Sequence, residues 1–158
     1  MGRLFVIQKH AASTLHYDFR LEVDGTLKSW AVPKGPSLNP AHKRLAVQVE
    51  DHDIKHADFE GQIGEGRYGA GQVIIWDRGT YEPIHLNEGL PLKEALQNGL
   101  LEFRLYGEKL KGRWRLVKIK GKEKDWLLIK GADEYANRAG DIVQNRPESV
   151  VSGTRMPI

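Results

Sequence analysis

The sequence predicts a mainly β fold, a compact antiparallel barrel of about eight strands with one or two short helices. Three observations lead there. Eight segments of six to nine residues are rich in β-branched and aromatic residues or alternate apolar with polar. Most are bounded by Gly, Pro, Asp or Asn, and their connections are short. Only one stretch has the spacing and end signals of a helix. Strands joined this way pair antiparallel and close as a barrel or sandwich.

The first strand is expected at "LFVIQK" (4–9) and the second at "LHYDFRLEV" (15–23). In the second, Leu15, Tyr17, Phe19, Leu21 and Val23 fall on one face and His16, Asp18, Arg20 and Glu22 on the other, because strand side chains alternate. Asp24-Gly25 is a tight hairpin turn leading into "TLKSWAV" (26–32). "RLAVQVE" (44–50) and "GQVIIWD" (71–77) follow. "PLKEALQNG" (91–99) reads as the helix, with Pro91 near its start and Gly99 just past its end. "LLEFRLY" (100–106), "RWRLVKI" (113–119) and "DWLLIK" (125–130) are joined by hairpin connections at "GEKLKG" and "GKEK". Residues 132–158 are polar and irregular, so the chain is read as one domain, a barrel core over 1–131 followed by a tail that packs on it or is partly mobile.

A chain of 158 residues buries roughly 68–70% of its unfolded surface and needs no staple to fold. Without cysteine there is no thiolate nucleophile, and any metal must be held by His, Asp or Glu. The apolar runs "VIIW" and "WLLI" are far short of the roughly 18 residues of a membrane span, and no signal peptide opens the sequence. A soluble, cytoplasmic protein with no membrane partner is expected. The net charge of +3 decides little, but its distribution is uneven. Residues 109–124 hold eight Lys or Arg against one Glu, whereas 50–60 is rich in acids and histidines. A basic stripe apart from an acidic, His-bearing pocket suits a protein that grips a polyanion and places a metal on it.

The polar face of the second strand carries the chemistry. Residues i and i+2 stand roughly 6.5–7 Å apart with parallel side chains, so His16 and Asp18 can converge on one ion. His10, separated from His16 by the five residues "AASTL", is the third candidate ligand; two imidazoles and a carboxylate suit Mn²⁺, Fe²⁺ or Zn²⁺. Arg20 can clamp phosphate oxygens or pair with Glu22 or Asp18. "VEDHDIKH" supplies Glu50, Asp51, His52 and His56; His52 can contact phosphate, act as general acid, or serve as a cap. "GEGRYGAG" (64–71) lacks a P-loop ending and reads as rim turns. Trp114 among basic residues is a stacking platform or a core side chain.

"FVIQKHAASTLHYDFRLEVDGTLKSWAVPKGPSLNP", "KRLAVQVEDH", "ADFEGQIGEGRYGAGQVIIWDRGTYEP" and "DWLLIK" together closely resemble the 3′-phosphoesterase domain of bacterial DNA ligase D and its stand-alone archaeal and bacterial relatives, over most of residues 4–131. The resemblance implies a Mn²⁺-dependent DNA-repair hydrolase, with Zn²⁺ or Co²⁺ as other candidate ions. Such an enzyme removes a 3′-terminal ribonucleoside and then the 3′-phosphate, leaving a ligatable 3′-hydroxyl. It implies His10, His16 and Asp18 as metal ligands and Arg20 and His52 as phosphate contacts. Lys34, Arg44 and Glu50 match further positions around the site. His56 stands where the family usually has tyrosine. An upstream arm contributes to activity in the ligase-fused members, and this chain begins almost at the first motif, so the monoesterase step is the firmer expectation. Implied partners are DNA or RNA-tipped DNA 3′ ends and, in non-homologous end joining, DNA ligase, primase-polymerase and Ku proteins, in a nucleoid-associated setting. Two rival readings are an Fe²⁺-dependent oxygenase using "HYD" with His52 or His56, and a non-catalytic nucleic-acid-binding barrel carried by the 109–124 stripe.

Overall fold

The computed structural model describes residues 3–64, 71–84 and 91–156. Nine strands run in one antiparallel sheet: β1 (Arg3–Ala11), β2 (Leu15–Val23), β3 (Thr26–Val32), β4 (Arg44–Asp53), β5 (Gly61–Ile63), β6 (Gly71–Pro83), β7 (Leu100–Gly107), β8 (Lys111–Lys118) and β9 (Asp125–Lys130). The order β1-β2-β3-β4-β9-β8-β7-β6 closes through a β1–β6 pairing, so eight strands form the expected barrel. The short β5 is an addition: it pairs with residues 71–73 of β6, on the edge that β7 takes over from Gly79. A three-residue strand leaves too little alternation to read. The helix α1 spans Leu92–Asn98 and ends on Gly99 in the left-handed conformation, and a short α2 spans Ile142–Asn145. Asp24 (φ 50°) and Gly25 (φ 85°) make the tight β2–β3 turn. Most of the glycine-rich "GEGRYGAG" lies outside the described residues.

The interior is aromatic. All four tryptophans are buried, Trp114 among them, and Trp30 meets Trp126 edge-on with centroids 5.7 Å apart. Tyr17, Phe19, Leu21 and Val23 point into this core as the alternation of β2 predicts. The other face of β2 is therefore on the outside of the barrel. A second, smaller cluster there joins Val6, Leu27 and Ile75 to Ala57 of a 3₁₀ helix, Ile54–Asp58. That cluster seats a cover of β5 and the 3₁₀ helix over one side of the outer face.

The segment after β9 packs on the barrel. Trp76 Nε1 donates to the Arg146 carbonyl at 2.8 Å, Val150 N–H donates to the Ile75 carbonyl, and Ser149 Oγ donates to Glu60. The buried Lys109 amine lies over the Trp76 ring at 4.3 Å and donates to the carbonyls of Arg146 and Glu148. Glu22, the last polar residue on its face, accepts the backbone N–H of Leu4.

Candidate active site

Strand pairing builds the site. His10 lies directly opposite His16, Gln8 opposite Asp18, Asp18 opposite Ala31 and Arg20 opposite Ser29. Cross-strand partners share a face, so these side chains form one outer patch. A β-bulge adds the fourth element: between Leu27 and Ser29 of β3 the register with β4 slips, so that Ser29 faces Val49 and Leu27 faces His52. One extra residue in β4 puts both Val49 and His52 on the site face, which strict alternation forbids. The 3₁₀ helix then brings His56 alongside, its ring 4.8 Å from that of His52 and stacked on Phe59. The result is a cavity of about 410 Å³ lined by His10, His16, Asp18, Arg20, Glu50, His52 and His56, with Ala31, Val49, Ile63 and Val73 as its apolar wall.

At one end, His10 Nδ1 lies 3.6 Å and His16 Nε2 3.2 Å from the two oxygens of Asp18, and the three candidate donor atoms fall within 4.8 Å of one another. Two donors each about 2.0–2.2 Å from a shared ion stand about 3.0–3.6 Å apart, so the two contacts to Asp18 match the spacing of a cation's ligands. The chemistry fits as well. His16 Nδ1 lies 3.1 Å from the Thr14 carbonyl, which can accept its proton, so that with an ion bound Nε2 would give up its hydrogen bond to Asp18 and offer a lone pair instead. His10, rather than His52 or His56, completes the set, against the arrangement the oxygenase reading requires. Burial pushes the Asp18 carboxyl up, but hydrogen bonds from His10 and His16 and the Arg20 charge outweigh it and hold it well below the usual carboxylate range. The Asp18 hydrogen bond in turn raises His16 against its burial.

Arg20 is buried and held on every side. Its Nε donates to Gln8 Oε1 at 2.7 Å, Nη1 to Ser29 Oγ at 2.8 Å and to His52 Nδ1 at 3.0 Å, and Nη2 lies 3.3 Å from Asp18. Four of its five N–H donors are thereby committed, and the fifth, on Nη2, remains beside the carboxylate. His52 Nδ1 also lies 3.0 Å from the Glu50 carbonyl. A guanidinium only donates and a carbonyl only accepts, so Nδ1 serves one at a time. Accepting from Arg20 places the ring proton on Nε2, where it can be donated. Burial first and Arg20 second lower the His52 pKa, and the same two causes, with His52, bring His56 to about 4. Both rings are therefore neutral at pH 7.

Two residues here were not singled out in the sequence. Gln8 is fully buried, and its Nε2 donates to the carbonyls of His56 (2.8 Å) and Phe59 (3.0 Å) while Oε1 accepts from Arg20. Its only signal is its place two residues before His10 on the same face. Ser29 had no signal, because its role depends on pairing with Arg20. Lys34 and Arg44, by contrast, do not line the cavity. Lys34 is exposed in the turn after β3, and Arg44 pairs with core residue Leu128, its Nε buried without a hydrogen-bond partner among the described residues.

Residues 8–118 match the family model described as the DNA ligase D 3′-phosphoesterase domain. The chain is 55% identical over 152 residues to the multifunctional non-homologous end joining protein LigD of Pseudomonas aeruginosa, covering 94% of this chain and 18% of that protein. It is 45% identical over 153 residues to the multifunctional non-homologous end joining DNA repair protein LigD of Mycobacterium tuberculosis, covering 97% and 19%, and 45% identical over 142 residues to the LigD protein of Mycolicibacterium smegmatis, covering 87% and 18%. The chain thus spans about a fifth of the length of these relatives. A family model matching well over half of the residues, on a fold whose outer face carries the His10–His16–Asp18 and Arg20–His52 groups, establishes that the chain belongs to the DNA ligase D 3′-phosphoesterase domain family.

Proposed function

We propose that this chain heals DNA 3′ ends as a metal-dependent hydrolase, removing a 3′-phosphate and a 3′-terminal ribonucleoside to leave a 3′-hydroxyl fit for ligation. The observation that carries the reading is a donor set for one cation and a fixed guanidinium–imidazole pair facing the same cavity. His10, His16 and Asp18 hold the ion, with Mn²⁺ the first candidate and Zn²⁺ or Co²⁺ the alternatives. Such an ion supplies Lewis-acid polarisation of a phosphoryl oxygen and makes water more acidic.

The protein's own groups divide the remaining work. The spare Nη2 proton of Arg20 meets a phosphate oxygen, and its fixed charge opposes the negative charge that builds during transfer. His52, carrying its proton on Nε2, donates to the phosphate or to the departing oxygen. His56, neutral, offers a hydrogen bond in place of the family's usual tyrosine hydroxyl. Glu50 lines the cavity and Lys34 is exposed in the turn after β3, so both are open to a longer or ribose-tipped substrate, whereas Arg44, turned toward the barrel interior, supports the wall rather than touching substrate. The physiological partners are DNA 3′ ends in end joining, met in the cytoplasm at the nucleoid together with ligase, primase-polymerase and Ku proteins.

The test is release of phosphate from a primer-template ending in 3′-phosphate, with Mn²⁺, Zn²⁺ and Co²⁺ compared. The wild type is expected to release phosphate and His16→Ala to release none. Full activity of His16→Ala, or a chelator-resistant wild type, overturns the assignment.

A further inference from the structure

We propose that the turn between β8 and β9 is a second phosphate-binding surface, gripping the backbone of a DNA duplex whose 3′ end lies in the catalytic cavity. This rests on the function proposed above. The turn reads "KIKGKEK" (118–124), with Lys118, Lys120, Lys122 and Lys124 all exposed. Among the described residues none of the four lies in an ion pair, whereas Arg20, Lys28, Arg104, Lys109, Lys130 and Arg146 each do. Four lysines on seven residues, offset only by Glu123, repel one another, so a surface that leaves them out of ion pairs gains from a polyanion.

The shape supports the same occupant. The Lys122 N–H donates to the Ile119 carbonyl, and Gly121 turns the chain at φ +82° with nothing within 4 Å of a Cβ built there. The turn therefore stands clear of the barrel. Beneath it a hollow of about 470 Å³ adds the amides of Gln97 and Asn98 to Lys118, Lys120 and Lys122; one carboxylate, Glu123, also lines it, so three cations outweigh one anion among donors suited to phosphate and sugar.

Its position joins it to the site. Gln48 N–H donates to the Lys124 carbonyl at 2.7 Å, and the next two residues of β4, Val49 and Glu50, line the catalytic cavity. Along one register row Asp18 faces Ala31, Ala31 faces Val47 and Val47 faces Asp125, which directly follows the turn. Three strand spacings make about 14 Å along the surface, or about four base-pair steps at 3.4 Å each. A terminal phosphate held at Asp18 and Arg20 leaves the rest of the duplex to run across β3 and β4 toward the lysines. An acidic protein segment is the competing occupant.

The experiment measures binding of a duplex with a recessed 3′-phosphate end, in chelator, from 50 to 200 mM salt, for wild type and Lys120→Ala/Lys122→Ala/Lys124→Ala. Each lost phosphate contact lowers the log–log salt slope by about 0.9, so the variant should be shallower by about 2.7, and the wild type should lose about 40-fold more affinity over that range. Release of phosphate from a 3′-phosphorylated dinucleotide, too short to reach the turn, should be unchanged. An unchanged slope, or equal loss on the dinucleotide and the duplex, overturns the inference and points the lysines elsewhere, to a protein partner among other uses. Should the triple variant unfold, each single variant should still lower the slope by about 0.9. Binding is read without turnover, so a wild type that grips DNA by this turn yet releases no phosphate refutes the proposed function and leaves this inference standing.

Discussion

Replacing Gln8 by methionine keeps the side-chain length and removes its polar atoms, which makes it a direct test of how the site is held. Three hydrogen bonds disappear: one from the Arg20 guanidinium at 2.7 Å and two to carbonyls of the segment carrying His56. A bond to a charged group contributes about 1.5–3 kcal/mol and a neutral one about 0.5–1.5 kcal/mol. The sum is about 2.5–6 kcal/mol, and because Gln8 has no exposed surface, water cannot replace what is lost. A fall of about 3 kcal/mol corresponds to about 6–12 °C in Tm for a domain of this size. Urea unfolding at fixed pH measures the stability, and phosphate release from a 3′-phosphate primer measures whether Arg20 still points where it should. Turnover is expected to fall along with stability. A Gln8→Met variant within 1 kcal/mol of wild type and fully active would refute the account of Gln8 as the bolt between the guanidinium and the 3₁₀ helix.

Stability should also depend on pH through His56. Its folded pKa of about 4 lies below the ordinary histidine value of 6.5, so the unfolded chain takes up the proton first; the contribution is complete above pH 6.5 and is lost as pH falls toward 4. His56→Tyr should flatten that limb of a urea-midpoint-against-pH curve, and an unaltered limb would assign it to other groups. Lys109→Met should leave the Arg146 and Glu148 carbonyls without the amine and loosen the tail. Faster amide exchange over residues 146–154, with the barrel strands unaffected, is the expected readout, and uniform protection would show that the amine does not tether the segment.

Much of this molecule is readable in its sequence, and the parts that are not share a cause. The eight barrel strands and α1 announce themselves through alternation and end signals, and the polar face of β2 is visible as an unusual row of His16, Asp18 and Arg20. Those signals are local. What closes the site is pairing between strands far apart in sequence: Gln8 beside Asp18, Ser29 beside Arg20, and a bulge that turns His52 outward. No property of Ser29 in isolation marks it as a partner for a guanidinium. Arg44 shows the converse: its chemistry and family position suggest the site, yet its register with Leu128 directs it toward the barrel interior. Glu22 is explained only when the first strand is laid beside it and Leu4 is found with a free N–H to offer.

A barrel packed with four tryptophans has no room inside for a substrate, so its chemistry must be done on the outside, where water weakens every charge. The cover formed by β5 and the 3₁₀ helix answers that difficulty. Ala57 packs on Val6, Leu27 and Ile75, and beneath that seal Asp18 and Arg20 are more than nine-tenths buried although they lie on the outer face. Hydrogen bonds from His10 and His16, and the Arg20 charge after them, therefore act in a low-dielectric setting and keep the carboxylate ionised as a ligand. The cover is itself held from behind: Glu60, at its end, accepts the Ile75 N–H and the Ser149 hydroxyl, and Val150 bonds the Ile75 carbonyl. The C-terminal segment thus bears on the electrostatics of a site it does not touch. It keeps in place the element that supplies His56 and Ile63 to the wall of the cavity that Asp18 and Arg20 face, and so limits how much solvent reaches both.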